Sequence, residues 1–227
     1  MHDPQFLHIN LLMLAREEMK NKSNKSVKAL LFDLGGVLVD IDFNRAFNNW
    51  SNNTESSAEI IKSKFRFDSF YKSHEIGEIN SGEYFDSLRK SLDIDITDQQ
   101  FEDGWNSIFI SEVYGISRLL RVLKKKIPMY VFSNTNNLHQ RYWLNEYQSI
   151  LSNFETIFTS SDLRKRKPDP EAFLSVADII GIKPNQILFF DDLLENIHGA
   201  KKVGFKTVQV HTILDIERGI KQFVDLN

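Results

Sequence analysis

The chain has 227 residues, of which 41% are hydrophobic and 26% charged, and its 28 basic and 31 acidic side chains give a formal charge of −3. These values are typical of a globular protein with a substantial core, and so balanced a charge argues against wholesale nucleic-acid binding. The sequence contains no cysteine, which excludes disulfides, thiol nucleophiles and thiolate metal sites and fits a reducing cytoplasm.

Residues 1–26 are predicted to form an N-terminal extension. Apolar side chains at helical spacing predict one short helix, and the polar segment KNKSNKS (20–26) then follows as a linker. This apolar stretch lacks the positive flank of a signal peptide, and no segment approaches the ~20 apolar residues of a membrane span. We therefore expect a cytoplasmic protein without a membrane partner.

From Val27 onward, short apolar runs alternate with segments of helical periodicity. The predicted strands are VKALLF (27–32), IPMYVF (127–132), ETIFTS (155–160), QILFF (186–190) and KTVQV (206–210). The predicted helices cover 113–126, 138–147, 170–180 and 195–203. Apolar strands that alternate with helices indicate an α/β fold with a doubly wound, mostly parallel, Rossmann-like sheet.

One segment interrupts this alternation. About 70 residues between Asp40 and Glu112 contain no good buried strand but several helix-compatible stretches. A connection of that length is not a simple loop in a compact domain. The sequence therefore predicts a core made of 27–42 and 113–227, with an all-helical subdomain at 43–112 inserted after the first strand.

Polar side chains follow four of the predicted strands, where ligands bind in open α/β sheets. They are Asp33 after the first strand, Ser133 and Asn134 after the second, Lys167 after the third, and Asp191 and Asp192 after the fourth. Three carboxylates without histidine or cysteine favour Mg²⁺ over zinc, and the glycines after Asp33 could turn the Gly35 carbonyl towards the same cation. A hydroxyl, backbone N–H groups and a lysine suit a phosphate, and an adjacent aspartate can attack its phosphorus to form an aspartyl-phosphate.

These segments resemble the four motifs of the haloacid dehalogenase-like (HAD) superfamily, in the family's order. The matching segments are LLFDLGGVLVD, MYVFSNTN, the lysine of KPDP, and ILFFDD, and the helical insert resembles the family's type-1 cap. The resemblance extends from Val27 to about Val210. More narrowly, FDLGGVLVDIDFNRAFNNW, SNTNNLHQRYW and FFDDLLENIHGA are similar to bacterial α-D-glucose-1-phosphate phosphatases of this superfamily.

The resemblance implies a role for each motif residue. Asp33 would be the nucleophile and a magnesium ligand, the Gly35 carbonyl and Asp192 would complete the protein's ligands, and Asp191 would lie beside them without binding the ion. Ser133 and Asn134 would bind the transferring phosphoryl group, which Lys167 would neutralise. The family's phosphatases have an acid/base aspartate where this chain has Gly35, so the group that protonates the leaving oxygen stays unassigned.

Several readings stay open at this point. The site aspartates, Ser133 and Asn134 could cap turns or helices, and the basic neighbours of Lys167 (164–166) are expected to lie on the surface. His139, Trp143, Trp50 and Trp105 are expected to be packing residues. The function favoured is a magnesium-dependent phosphomonoesterase acting on a small phosphorylated metabolite, with a sugar phosphate such as glucose 1-phosphate expected, and the alternatives are a 2-haloacid dehalogenase and a non-catalytic phosphosugar-binding regulator. The sequence does not decide between monomer and dimer.

Overall fold

The computed structural model describes residues 27–225, so the predicted N-terminal helix and linker lie outside the described residues. The strands are β1 (Ala29–Phe32), β2 (Val39–Ile41), β3 (Phe109–Glu112), β4 (Met129–Ser133), β5 (Thr156–Thr159), β6 (Ile187–Asp191) and β7 (Lys206–Gln209). Five of them form one parallel sheet in the order β5–β4–β1–β6–β7, with β1 at its centre between β4 and β6. The predicted parallel α/β sheet is confirmed.

Apart from the turn between β1 and β2, helices connect the strands of the described chain. They are α1 (Phe43–Ser51), α2 (Ala58–Lys64), α3 (Ser69–Glu75), α4 (Ser81–Leu92), α5 (Asp98–Asn106), α6 (Ile116–Leu123), α7 (Asn137–Glu146), α8 (Gln148–Leu151), α9 (Ser160–Leu163), α10 (Pro170–Ile180), α11 (Leu194–Lys202) and α12 (Ile213–Phe223), with a 3-10 turn at Pro184–Gln186. Their starts follow from local chemistry: Asn80 and Glu83 form a reciprocal cap on α4, and Asp169 caps α10 with Pro170 in its first turn.

The central sheet is buried on both faces. Side chains of one strand alternate between two apolar clusters: Leu30 and Phe32 of β1 belong to one, and Ala29 and Leu31 to the other. All four are inaccessible to solvent. This explains why the strands appear in the sequence as continuous apolar runs, and it leaves the carboxyl ends of the strands as the place for polar groups.

The inserted segment contains five helices and ends in a strand. Helices α1 to α5 lie between β2 and β3, which pair antiparallel with Val39 opposite Glu112. The expectation of no good buried strand between Asp40 and Glu112 holds, since only Phe109 of the four β3 residues is buried, but the prediction of an all-helical 43–112 did not include this strand. Helix α12 was also not predicted.

Aromatic rings fill the interior of the insert. Trp50 of α1 and Trp105 of α5 are fully buried and stacked, with ring centroids 5.6 Å apart. Gly104 permits this contact, since a Cβ there would lie 2.2 Å from Nε1 of Trp50. The two tryptophans are therefore packing residues, as predicted. Within residues 27–225, none of the helices combines the length and apolarity that crossing a membrane requires.

Candidate active site at the ends of the parallel strands

Asp33 directly follows β1 and is held against β6. Its backbone N–H donates to the Phe190 carbonyl at 2.8 Å, and Asp191 ends β6 one residue later. Because β1 and β6 are adjacent and parallel, their carboxyl ends bring Asp33, Asp191 and Asp192 together. One oxygen from each of the three carboxylates lies within 4.8 Å of the others.

The two glycines after Asp33 shape a tight turn beneath these carboxylates. The Leu34 carbonyl accepts hydrogen bonds from the N–H groups of Leu38 and Val39, at 2.9 and 3.0 Å. Gly36 has φ +76°, and a Cβ there would lie only 2.7 Å from Oδ2 of Asp192. Glycine at 36 is thus required both by the left-handed backbone and by the close approach of Asp192.

Lys167 provides the positive charge at the centre of the cluster. Its side chain is 1% exposed, and its Nζ lies 2.8 Å from Oδ1 of Asp33 and 2.7 Å from Oδ2 of Asp191. The Asn134 side chain fixes the Lys167 backbone from both sides: its Oδ1 accepts from the Lys167 N–H and its Nδ2 donates to the Lys167 carbonyl, both at 2.9 Å. The loops after β4 and β5 therefore meet at Lys167.

The two adjacent acids differ in their surroundings. Asp191 is fully buried, and its carboxylate also accepts from the Asn196 amide at 3.0 and 3.1 Å and from the Leu193 N–H at 2.9 Å. Asp192 is half-buried, and its carboxylate lies over Gly36. Asp191 is thus satisfied by protein donors, whereas Asp192 faces the turn that follows Asp33.

The pKa values of the cluster reflect burial and mutual repulsion. Burial raises the pKa of Asp33 to about 7; Lys167 opposes the rise, and Asp191 and Asp192 add to it. The pKa of Asp192 is also raised, by burial and then by Asp191. Burial alone would lower the pKa of Lys167, but Asp191 and Asp33 outweigh it and raise this pKa. The lysine is therefore charged, and the three carboxylates carry more negative charge than it balances.

Ser133 and Asn134 occupy different positions within the site. Ser133 ends β4 and is 5% exposed, and its hydroxyl makes no hydrogen bond to any residue between 27 and 225. Both polar atoms of the Asn134 side chain bond the Lys167 backbone, so its predicted contact with a phosphoryl group would have to come from its own backbone. Neither residue caps α7: Asn136 does, accepting from the N–H groups of Leu138 and His139.

The structure adds one pair that the sequence prediction missed. Glu75, at the end of α3, is 4% exposed, and its Oε2 lies 2.8 Å from Nε of Arg166. Arg166, predicted to lie on the surface, is partly buried, with 23% of its side chain exposed, because its guanidinium pairs with this buried carboxylate; Arg164 is exposed as predicted. The sequence offered one signal for this pair, the charged Arg166 directly before Lys167, but nothing in it pointed to Glu75 as the partner.

The other residues weighed for function have packing roles. His139 is buried, and its Nε2–H donates to the Trp105 carbonyl at 3.0 Å, while Trp143 donates to Oγ1 of Thr135 at 3.3 Å. Burial lowers the pKa of His139 to about 3, so its ring is neutral. The Nε–H of Arg45 donates to the Ser107 carbonyl at 2.7 Å.

This arrangement suits the joint binding of a cation and an anion. The carboxylate oxygens of Asp33, Asp191 and Asp192 are hard donors of the kind that divalent magnesium prefers, and their excess charge favours a cation. The Lys167 ammonium lies beside Asp33, where it can offset the charge of an anion that approaches this carboxylate.

Comparisons with known proteins agree with this geometry. A family model described as a haloacid dehalogenase-like hydrolase matches residues 27–204. A D-ribitol-5-phosphate phosphatase from Bacteroides thetaiotaomicron is 26% identical over 188 residues, which are 81% of this chain and 91% of the relative. An enolase-phosphatase E1 from Persephonella marina is 26% identical over 203 residues, 81% of this chain and 88% of the relative.

Solved structures show the same similarity. A HAD family enzyme from Bacteroides thetaiotaomicron, crystallised as a magnesium complex, superposes with a TM-score of 0.72 at 31% identity, covering 82% of this chain and 94% of the other. An L-2-haloacid dehalogenase from Xanthobacter autotrophicus superposes with a TM-score of 0.63 at 18% identity, covering 81% of this chain and 77% of the other. The second similarity concerns the fold alone.

Proposed function

Because the chain belongs to the haloacid dehalogenase-like hydrolases, we propose that it is a magnesium-dependent phosphatase of a small phosphorylated metabolite. The observation that carries this proposal is the cluster of Asp33, Asp191, Asp192 and Lys167 at the adjoining ends of β1 and β6. Three carboxylates beside one buried ammonium provide a nucleophile, ligands for a divalent cation and a positive charge for a phosphoryl group.

The chemistry of the donors fits magnesium. We assign Asp33, Asp192 and the Gly35 carbonyl as its protein ligands, since Lys167 and Asn196 already bond both oxygens of Asp191. Within residues 27–225, the Gly35 carbonyl accepts none of the backbone hydrogen bonds of its turn, which leaves it available. When bound, magnesium supplies positive charge that stabilises the transferring phosphoryl oxygens.

Asp33 then acts as the nucleophile. One of its carboxylate oxygens forms a bond to phosphorus while the bond between phosphorus and the ester oxygen breaks, which yields an aspartyl-phosphate and an alkoxide that takes its proton from water. Water attacks the same phosphorus, restores the Asp33 carboxylate and releases inorganic phosphate. Lys167, 2.8 Å from Asp33, offsets the charge of the phosphoryl group, and Ser133 and the Asn134 backbone bind its oxygens.

The residue two positions after the nucleophile points to the kind of substrate. Gly35 offers no acid to protonate the leaving oxygen, and a Cβ there would lie 3.0 Å from Cδ1 of Ile41, which fills the adjacent space. General acid catalysis is worth about 10²- to 10⁴-fold. A sugar 1-phosphate such as glucose 1-phosphate needs it least, because an anomeric oxygen leaves more readily than an ordinary alkoxide.

Residues 43–112 are proposed to act as a cap that closes over the site, excludes water and selects the substrate. In support, the end of α3 contacts the core next to Lys167 through Glu75 and Arg166. Under the same division of the chain, 27–42 and 113–227 form the catalytic core and 1–26 an extension to it.

Phosphate release from a panel of sugar and polyol phosphates, with magnesium or with EDTA, tests the proposal. We expect magnesium-dependent release that Asp33→Asn abolishes and Asp40→Asn, at an exposed aspartate seven residues later, preserves. Activity that survives EDTA or the Asp33→Asn substitution would refute the mechanism.

The leaving group is tested separately by comparing kcat/KM for glucose 1-phosphate, glucose 6-phosphate and D-ribitol 5-phosphate. We expect glucose 1-phosphate to be hydrolysed fastest, since the other two release primary alkoxides. A preference for ribitol 5-phosphate, which the name of one relative supports, would reject the anomeric substrate while keeping the phosphatase.

The alternatives fit the site less well. A 2-haloacid dehalogenase would use the Asp33 nucleophile without metal and would leave the buried pairing of Asp191 and Lys167 beside Asp192 without a role. A non-catalytic phosphosugar-binding protein is supported by Gly35 alone. Halide release without magnesium would favour the first, and phosphate binding without turnover the second.

A further inference from the structure

The buried Glu75–Arg166 pair joins the inserted helices to the catalytic core. Glu75 ends α3, and its carboxylate side chain is 5% exposed against 23% for Arg166. Burial raises the pKa of Glu75, and Arg166 opposes the rise. A carboxylate is costly at this position unless it is paired, so removing one partner leaves the other charge poorly compensated.

Two routes lead from Glu75 to Lys167. The first runs along the chain, since Arg166 directly precedes Lys167. The second runs through Ser160, whose Oγ lies 2.7 Å from the Glu75 carbonyl oxygen and accepts from the Thr135 N–H at 2.9 Å. Thr135 follows Asn134, whose side chain holds the Lys167 backbone. Both routes therefore end at the residue that carries the site's positive charge.

We propose that Glu75 is a positioning residue: its carboxylate on Arg166 sets the location of Lys167, while the backbone contact with Ser160 holds the end of α3, so that the phosphate site is fully formed only when α3 is seated on the core. This inference rests on the proposed phosphatase function, and it assigns the inserted helices a part in building the phosphate site in addition to selecting a substrate. Catalytic groups tolerate little displacement, because about 1 Å of misplacement can cost ~10²-fold in rate.

The test compares Glu75→Gln, Arg166→Met and the double variant with matched controls. Glu78→Gln removes a nearby exposed glutamate that accepts from Ser73 at 2.7 Å, and Lys165→Met removes the cation that precedes Arg166. Each protein is assayed for kcat with glucose 1-phosphate, for inorganic phosphate affinity by calorimetry in magnesium, and for urea unfolding.

We expect both single variants to lower kcat by about ten- to a hundredfold and to weaken phosphate binding about tenfold, with both controls close to wild type. The double variant should be no worse than the worse single variant, because the pair acts as one unit. Variants that unfold more easily but turn over and bind phosphate normally in dilute buffer would show a purely structural pair and overturn the inference.

The same measurements separate this inference from the proposed function. A wild-type protein that binds phosphate without hydrolysing any substrate would refute the function, and the variants' phosphate affinity alone would then decide the role of Glu75: weakened binding supports it, and unchanged binding overturns it. A wild-type protein that binds no phosphate would overturn both.

Discussion

Replacing Gly36 with alanine should separate two effects of the new Cβ: the strain of the left-handed backbone and the clash with the Asp192 carboxylate. The new Cβ would lie 2.7 Å from Oδ2 and 2.8 Å from Cγ of Asp192, well inside an ordinary contact of 3.4 Å or more. The carboxylate or the turn must therefore move by about 0.7 Å. Metal ligands tolerate about 0.2 Å, so we expect Gly36→Ala to weaken magnesium binding by about 10- to 100-fold.

Gly181 provides the matched control. It has φ +73°, close to the +76° of Gly36, but a Cβ there would meet nothing within 4 Å. A left-handed backbone with a Cβ costs about 1–2 kcal/mol, so both alanine variants should lose at least this much free energy of unfolding. Only Gly36→Ala should lose magnesium affinity.

The assays are magnesium calorimetry and urea unfolding followed by the fluorescence of the buried tryptophans. Wild-type magnesium affinity in Gly36→Ala would refute the placement of Asp192 as a ligand. An equal loss of magnesium affinity in Gly36→Ala and Gly181→Ala would show that backbone strain, and not the contact with Asp192, explains the weaker binding.

Three further perturbations test the electrostatics and packing around the site. Burial lowers the pKa of His139 from 6.5 to about 3, so its neutral form contributes stability that is complete above pH 6.5 and is lost as the pH falls, by about 2 kcal/mol at pH 5. In urea unfolding at pH 7 and pH 5, His139→Gln should lack this loss, and the control His198→Gln, at an exposed site, should retain it. Equal losses of stability in both variants would contradict the reasoning. Lys167→Met leaves two buried carboxylates without their cation and should cost about 3–5 kcal/mol in EDTA and less in excess magnesium, whereas unchanged urea unfolding would disprove the pairing. In Gly199→Ala the Cβ would lie 2.2 Å from the Pro168 carbonyl oxygen, so we expect a loss of about 1–3 kcal/mol on unfolding together with weaker phosphate binding; loss of stability alone would mean that the strain does not reach the phosphate site.

The central sheet could be predicted because its signal is local. A strand buried on both faces is a continuous apolar run, so the segments around Leu31, Val131 and Phe189 stand out without knowledge of their neighbours. The topological rule for parallel sheets then brings the side chains at the strand ends to one edge. For the same reason, the proximity of Asp33, Asp191 and Lys167 followed from their positions after strands.

The features that were missed depend on partners far apart in the chain. Strand β3 pairs with β2 across the whole inserted segment, and its own burial pattern is too weak to reveal it. Glu75 and Arg166 are 91 positions apart, so each appears in the sequence as one charge of a solvated face. Asn134 is of the expected type in the expected place, but only the structure shows its amide holding the Lys167 backbone.

The distribution of hydrogen bonds within the cluster explains how three acids can share one small site. The Asp191 carboxylate accepts hydrogen bonds from the Lys167 ammonium, the Asn196 amide and the Leu193 backbone N–H, so protein donors alone compensate its charge. Asp33 shares the same lysine but keeps a pKa raised to about 7, and the pKa of Asp192 is raised as well. The repulsion that the protein leaves uncompensated thus falls on Asp33 and Asp192. A cation bound between these two carboxylates relieves that repulsion, which is why the folded chain should bind magnesium there and use Asp191 to hold Lys167.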